Sequence, residues 1–450
     1  MLRHCATAIA VLFATPALAQ DPVRMDEVVS VEAEKGTFMG TALVAIGDEI
    51  VFDRGYGSAN LEWDIANTPD AKFRIGSVTK QFTAAAILLL EERGQIDLDV
   101  PVKTYWPDAP AAWDAITTRH LLQHTSGITN VTDLDEFATQ KFLPTTREEL
   151  IAMFADKPLD FTPGEKWSYS NSGFVLLSAI IENITGETYA SFVKANIFDP
   201  LGMNDTAIDV LSEIVPMRAS GYSPTRDGIA NAEYVDMTIP TGAGALHSTT
   251  HDLLKWQRGL FGGKLLKPAS LAAMTAPGVE AMPGSTYGYG VLITEKEDGR
   301  MVWHGGGIEG FNSMLMHDPD RDITVIVLAN LNGGQANDLA TMLMRLARGG
   351  EVKLIDELEA AELDVASLAQ YEGTYALAPT FKINVFVEGD QLKAQATNQP
   401  AFELFAQDGE EDFFFLKVID AQVRFNRDDA GDVTSLTLYQ NGHEIPGIKE

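Results

Sequence analysis

Ser77-Val78-Thr79-Lys80-Gln81-Phe82-Thr83-Ala84-Ala85-Ala86-Ile87-Leu88-Leu89-Leu90-Glu91-Glu92-Arg93-Gly94 puts a hydroxyl and an amine one helical turn apart at the head of a long apolar run. Apolar residues recur at Val78, Phe82, Ala85, Ala86, Leu89 and Leu90, a spacing that predicts a helix. Arg93 in the last turn and Gly94 beyond it mark the end. Ser77 is then expected at the helix N-terminus, where unpaired N–H groups and the positive dipole end favour developing negative charge. Lys80, at i+3, shares its face. This is how a Ser-Lys nucleophile pair is built. A serine cap followed by an exposed lysine reads the same way, so the weight falls on what lies downstream.

Upstream, Thr37 to Ile46 and Glu49 to Tyr56 are β-rich runs around Gly47-Asp48, a hairpin signal. From Lys80 to about residue 240 the pattern is mostly helical, broken by Pro/Gly loops such as Leu159 to Glu165 and Asp199 to Asn204. Met301 to His304, Phe311 to His317 and Ile323 to Ala329 then read as three short strands, and Ala336 to Arg348 as a helix. β at both ends with helices between predicts an α/β domain: one mostly antiparallel sheet flanked by helices, with an inserted helical lobe. After a glycine-then-acidic linker (351–366) the texture changes. Phe381, Ile383, Val385 and Val387 alternate with other residues, and Gly389-Asp390 turns the chain into Leu392, Ala394 and Ala396. About seven short strands over 367–450 predict a small antiparallel β-barrel or sandwich.

Residues 1–19 read as a secretory signal: Arg3, an apolar stretch from Ala8 to Phe13, and Ala17-Leu18-Ala19 as the cleavage site. The expected location is periplasmic or secreted, with a hydrolase domain over 20–350. The apolar stretch is too short to span a bilayer, so no stable membrane insertion is expected. The one cysteine, Cys5, lies inside the signal, which leaves the mature chain without a thiol, disulfide or cysteine metal site. With 33 Lys+Arg against 64 Asp+Glu, the net charge is −31, a surface that repels nucleic acid.

Three more signals follow Ser77 in order: Leu121-Leu122-Gln123-His124-Thr125-Ser126-Gly127; Thr162-Pro163-Gly164 with Tyr169-Ser170-Asn171; and His304-Gly305-Gly306. The set resembles the penicillin-recognising serine hydrolases: class C β-lactamases, D-alanyl-D-alanine carboxypeptidases, D-aminopeptidases and class VIII esterases. Their pattern is S-x-x-K, then Y-x-N, then K/H-x-G on an edge strand. Asp199-Pro200-Leu201-Gly202-Met203 and Ser248-Thr249-Thr250-His251-Asp252-Leu253 add to the likeness, which runs from about residue 30 to 345. The C-terminal strands, opening with Tyr371-Glu372-Gly373-Thr374-Tyr375, resemble the lipocalin-like barrel appended to some members.

The resemblance implies a serine β-lactamase-like fold and a cofactor-free, metal-free reaction on a small-molecule or peptide substrate. Ser77 is the implied nucleophile, with Lys80 and Tyr169 a coupled pair of candidate bases. Neighbouring cations are expected to favour the Tyr169 phenolate. Asn171 would hydrogen-bond Lys80 or the substrate, and His304 and Gly306 carry the third motif. Backbone N–H groups of Ser77 and Gly307 would hold the oxyanion. Where class C β-lactamases usually have lysine, this chain has His304, neutral or charged according to its surroundings. Expected function is therefore a peptidase or amidase on D-residue-containing peptides, with a carboxylesterase next and weak β-lactamase activity third. A penicillin-type sensor that binds without turnover is the non-enzymatic reading. For the C-terminal unit, a lid, a substrate-length filter or a homo-oligomer contact is expected.

Several other patterns are set aside. Gly305 to Gly310 satisfies G-x-G-x-x-G but joins two strands instead of opening a helix. His247 and His251 are four apart, yet no glutamate completes a zinc motif. Gly259 to Lys264 resembles a P-loop with wrong spacing.

Overall fold

The computed structural model describes residues 21–296, 299–418, 421–428, 430–440 and 443–450. Residues 1–19, expected to be a secretory signal, and Cys5 with them lie outside these. After helix α1 (Pro22–Glu34) comes the predicted hairpin, β1 (Gly40–Ile46) and β2 (Glu49–Tyr56). α2 (Thr79–Glu92), α3 (Asn171–Thr185) and α4 (Thr250–Phe261) belong to the long insertion that follows. The sheet is completed by β3 (Val279–Met282), β4 (Ser285–Tyr287), β5 (Leu292–Lys296), β6 (Gly299–Ile308), β7 (Phe311–Asp318) and β8 (Ile323–Ala329), and α5 (Ala336–Ala347) closes the unit. The eight strands run in the order β3-β4-β5-β6-β7-β8-β1-β2, each pair antiparallel.

The sheet is covered on both faces, so β8 is buried along its whole length and reads as an uninterrupted apolar run. Ile326 and Leu328 point into the core shared with α2, α3 and α4. Val325, Val327 and Ala329 point the other way, into the core shared with α1 and α5. The predicted sheet, flanking helices and helical insertion are all present.

The C-terminal unit is a closed antiparallel barrel of eight strands: β9 (Gly373–Ala378), β10 (Phe381–Glu388), β11 (Gln391–Ala396), β12 (Ala401–Ala406), β13 (Phe413–Phe415), β14 (Ala421–Arg427), β15 (Val433–Gln440) and β16 (His443–Lys449). Pairing of β16 with β9 closes it, and closure removes the exposed edges. Its core, around Tyr375, Leu392, Leu404, Phe414, Phe425 and Leu436, is separate from the other two. The linker is tied at both ends. Arg24 of α1 donates to the Val352 carbonyl at 2.8 Å and pairs with Glu357, while Ala361 N–H donates to the Ala406 carbonyl at 2.8 Å.

The third strand of the sequence reading runs past His304 to Ile308. β5 pairs with β6 only as far as Trp303, so from His304 onward β6 is hydrogen-bonded on the β7 side alone. That half-open stretch is where the predicted site residues gather.

Candidate active site

Gly76 to Val78 form a single 3-10 turn ahead of α2, so the α-helix proper begins at Thr79, with Ser77 in the turn before it. Gly76 has φ +48°, and a Cβ there would lie 2.9 Å from the Gly307 nitrogen. Gly306 is tighter: a Cβ would sit 2.1 Å from the Ile75 carbonyl oxygen. Only glycine lets the turn and β6 press backbone against backbone. Ser313 Oγ on β7 donates to the same Ile75 carbonyl at 2.8 Å and locks the turn to the sheet. Ser77 and Gly307 therefore line one cavity, of about 800 Å³, with Asn171 on its other wall.

Lys80 Nζ lies 3.1 Å from Ser77 Oγ, 2.9 Å from Asn171 Oδ1 and 2.8 Å from the Ala243 carbonyl oxygen. The side chain has no exposed surface, which removes the reading of an exposed lysine behind a serine cap. Desolvation holds its amine well below the usual lysine range. A neutral amine has two N–H groups and one lone pair. The carbonyl oxygens of Asn171 and Ala243 can only accept, so they take both N–H groups and leave the lone pair to the Ser77 O–H.

The Tyr169 ring centroid is 4.8 Å from Lys80 Nζ. Burial raises the phenol pKa, and the Ser77 hydroxyl offsets this only in part. The expected phenolate is thus disfavoured: the nearest amine is itself desolvated and supplies no cation, so Tyr169 is a proton donor at rest. His304 is 3% exposed, and burial above all pushes its pKa down to about 3. Its Nδ1 lies 2.6 Å from the Gly305 carbonyl oxygen and its Nε2 3.0 Å from the Tyr287 hydroxyl. A carbonyl only accepts, so Nδ1 carries the proton and Nε2 accepts from Tyr287. Of the two charge states left open for His304, the site selects the neutral one.

A protein-family model described as "Beta-lactamase" matches residues 25–349. The chain belongs to the beta-lactamase family. A second model, a domain of unknown function (DUF3471), matches residues 358–448. Penicillin-binding protein 4* of Bacillus subtilis (strain 168) is 30% identical over 441 residues, covering 92% of this chain and 96% of that protein. The D-aminopeptidase of Gluconobacter oxydans (strain 621H) is 27% identical over 319 residues, covering 68% of this chain and 58% of that protein. The octameric penicillin-binding protein homologue from Pyrococcus abyssi superposes with TM-score 0.69 at 26% identity, over 95% of this chain and 100% of that one. The chain is a member of a serine hydrolase family with penicillin-binding and D-aminopeptidase relatives.

Within this beta-lactamase-family site two residues were not singled out from sequence. Tyr287 is fully buried and donates to the His304 Nε2 that the Gly305 carbonyl leaves as acceptor. His124, in the His-Thr-Ser-Gly loop, brackets Tyr169. Its carbonyl accepts the Ser168 N–H at 2.9 Å and its Nδ1 accepts the Ser170 N–H at 3.1 Å. Its ring packs 4.4 Å from that of Tyr169 and 4.6 Å from that of Tyr287. It does this at φ +57°, a left-handed conformation uncommon outside glycine. The quoted loop was the available signal; its role depends on contacts across 46 residues that spacing cannot reveal.

Of the patterns set aside, Gly305 to Gly310 forms the strand edge beside Ser77, while the two histidines stay apart from the site. His251 Nε2 on α4 lies 2.7 Å from Asp53 Oδ2 on β2, while His247 is buried beside Asp209, Lys72 and Arg218. Among the described residues no cluster of three or more His, Cys, Asp or Glu forms a metal-type site, and no helix is long and apolar enough to cross a membrane.

Proposed function

We propose that this chain hydrolyses amide bonds through an acyl-enzyme on Ser77, acting on peptides that contain D-residues. The carrying observation is the 3.1 Å contact between Ser77 Oγ and a fully buried Lys80 amine. In this reading the Lys80 lone pair takes the hydroxyl proton as Ser77 Oγ bonds to the substrate carbonyl carbon. Backbone N–H groups of Ser77 and Gly307 hold the oxyanion, a contribution of about 3–4 kcal/mol per donor. Tyr169, still protonated, gives its proton to the leaving nitrogen as the C–N bond breaks and recovers it by way of Lys80. Water then repeats the sequence in reverse and releases the acid. Asn171 keeps Lys80 aimed, and His304, Gly306 and Tyr287 hold the β6 edge.

The likeness to a D-aminopeptidase supports an amide substrate with D-configuration. A carboxylesterase is the second reading, because the same machinery cleaves the easier ester bond. Efficient β-lactam hydrolysis ranks lower, since neutral His304 offers no permanent cation for a substrate carboxylate. The signal-like residues 1–19 support a periplasmic or secreted location. A role for the barrel in self-assembly is supported by likeness to the octameric homologue across nearly the whole chain.

The deciding experiment is a screen of D-aminoacyl amides, D-Ala-D-Ala peptides, p-nitrophenyl esters and a chromogenic cephalosporin on wild type and Ser77→Ala, with fluorophosphonate labelling of both. Amide turnover and labelling, both lost in Ser77→Ala, are expected. Stable labelling without turnover of any substrate would leave a sensor in place of an enzyme.

A further inference from the structure

The cavity beside Ser77 has a direction. Ser77, Asn171, Gly307, Ile308 and Glu309 line it, whereas Tyr169 and His304 do not. If the leaving group departs toward its proton donor, Tyr169, the cavity on the opposite side is left for the acyl half of the substrate. Its base is apolar, with Val175, Val235 and Ile239 among the lining residues. Its charged groups are Glu233 and Glu309, and Lys141 stands between them. Lys141 Nζ donates to Glu309 Oε1 at 3.1 Å and also pairs with Glu233, so the three carry one surplus negative charge. Among the described residues, the second oxygen of each carboxylate takes no hydrogen bond from the protein. Glu309 follows Gly307 by two residues, so their Cα atoms are within about 7 Å, and both line the cavity.

We propose that this cavity selects acyl groups bearing a free ammonium, held by Glu309 at the wall and Glu233 at the rim. The proposal rests on the acyl-enzyme reading above and adds which half of the substrate is charged, and with which sign. Lys141 does not serve as a carboxylate grip, because both of its neighbours are acids and already balance it. A substrate ammonium placed between the free carboxylate oxygens completes the neutralisation that Lys141 begins, with charge-assisted hydrogen bonds to Glu309 at the wall and Glu233 at the more exposed rim. An N-acylated substrate has no such charge and leaves those oxygens unpaired, and an acyl group ending in a carboxylate meets like charge.

The test compares kcat/KM for D-alanine p-nitroanilide, N-acetyl-D-alanine p-nitroanilide and N-succinyl-D-alanine p-nitroanilide, with p-nitrophenyl acetate as a substrate that carries no charge on either side. The expected result is a preference for the free amine over the N-acetyl compound of about tenfold or more, the scale of one charge-assisted hydrogen bond. Glu309→Gln should cut that ratio about tenfold, and Glu309→Asp should restore part of it. Glu309→Lys should turn the preference toward the succinyl compound. Circular dichroism checks that each variant is folded, and Glu233→Gln provides the same reading if a Glu309 variant does not fold. Equal rates on the free and N-acetylated anilides, with Ser77-dependent hydrolysis of p-nitrophenyl acetate intact, overturn this inference alone. An amine preference that survives both Glu309→Gln and Glu233→Gln also overturns it. Absence of any Ser77-dependent hydrolysis or labelling overturns both this inference and the acyl-enzyme reading.

Discussion

Around Ser77 the protein buries an amine, two imidazoles and several hydroxyls; inside the C-terminal barrel it buries aromatic and aliphatic side chains. Lys80, Thr79, Thr83, His124, Ser170, Ser172 and His304 are all buried near the cleft, and among the described residues no non-aromatic polar or charged side chain beyond Asn330 is. The barrel's two buried tyrosines satisfy their hydroxyls locally: Tyr375 donates to the Tyr371 carbonyl at 2.8 Å, and Tyr371 to Asp412 at 2.7 Å. Burying polar groups is costly unless each finds a partner, so a fold concentrates them where they perform chemistry. The contrast separates a reactive unit from a packing unit, and it can be attacked from either side.

The largest effect is expected in the barrel. Tyr375→Ala empties a site with no exposed surface beside Phe425, and a truncation of that size costs about 3–5 kcal/mol. Denaturant unfolding should show the barrel transition moving to lower denaturant while kcat/KM of the folded protein stays put. A matching loss of kcat/KM under folding conditions would mean that the barrel's interior communicates with the cleft.

Lys80→Met inverts the pattern. The new side chain is close in length and apolar, so relief from burying an amine offsets the two acceptors left unpaired on Asn171 and Ala243, and melting temperature should change little. Turnover should fall by about a hundredfold or more, the usual scale for losing a general base. The sign of the pH dependence follows from the direction of its shift: the amine is active when neutral, and burial lowers its pKa. Wild-type kcat/KM should therefore fall as pH drops through that lowered value, and the limb should vanish in the residual activity of Lys80→Met. A large drop in melting temperature would instead make Lys80 a structural residue.

What could be read from sequence divides along the same line. Ser77, Lys80, Tyr169, Asn171 and His304 were legible as a set because the proposed chemistry demands particular residue types, and the structure gathers them with Gly306 and Gly307 around one strand edge. The hairpin β1–β2, strands β7 and β8 and helix α5 were legible from periodicity alone. β3, β4 and β5 were not: each is three to five residues long, and Pro283, Gly284, Gly288 and Gly290 interrupt the run. β6 appears to stop at His304 because three glycines follow, yet one of them, Gly306, is what lets the Ser77 turn approach. The barrel's eighth strand was masked by Pro446 and Gly447, and α1 was passed over although Asp21-Pro22 is a cap-and-start pair. The partner contacts of His124 and Tyr287 are long-range and could come only from the fold.

His124 offers the next sharpening of the contrast, since it is a positioning residue with no expected contact to substrate. Asn tolerates a positive φ, so His124→Asn keeps the backbone conformation while changing the ring contacts to Tyr169 and the acceptor for Ser170 N–H. We expect kcat to fall about tenfold with KM little changed, because the loop that presents Tyr169 loosens while the acyl cavity is untouched. The His124→Gln variant, which restores length without the ring, separates the hydrogen bond from the packing. A rise in KM as large as the fall in kcat would make His124 part of substrate binding instead.

The smallest effect concerns acid. Burial pushes the His317 pKa down to about 4, where it stacks 4.1 Å from the Phe261 ring, and His304 down to about 3. Both groups are neutral in the folded state and titrate near 6.5 when the chain unfolds. A base whose folded value is lowered contributes stability that is complete above about 6.5 and is lost as pH falls toward the folded value, since the unfolded chain binds the proton first. Each should cost about 1 kcal/mol between pH 6.5 and 5.5. None of the barrel's described side chains is a buried histidine, so the unit that carries Ser77 should soften first. Urea midpoints followed by Trp fluorescence, whose six tryptophans all precede the barrel, and by hydrogen exchange of the barrel's amides would show it. His317→Asn should flatten the slope by its own share, and an unchanged slope would mean that the carboxylates of this acidic chain set its acid response alone.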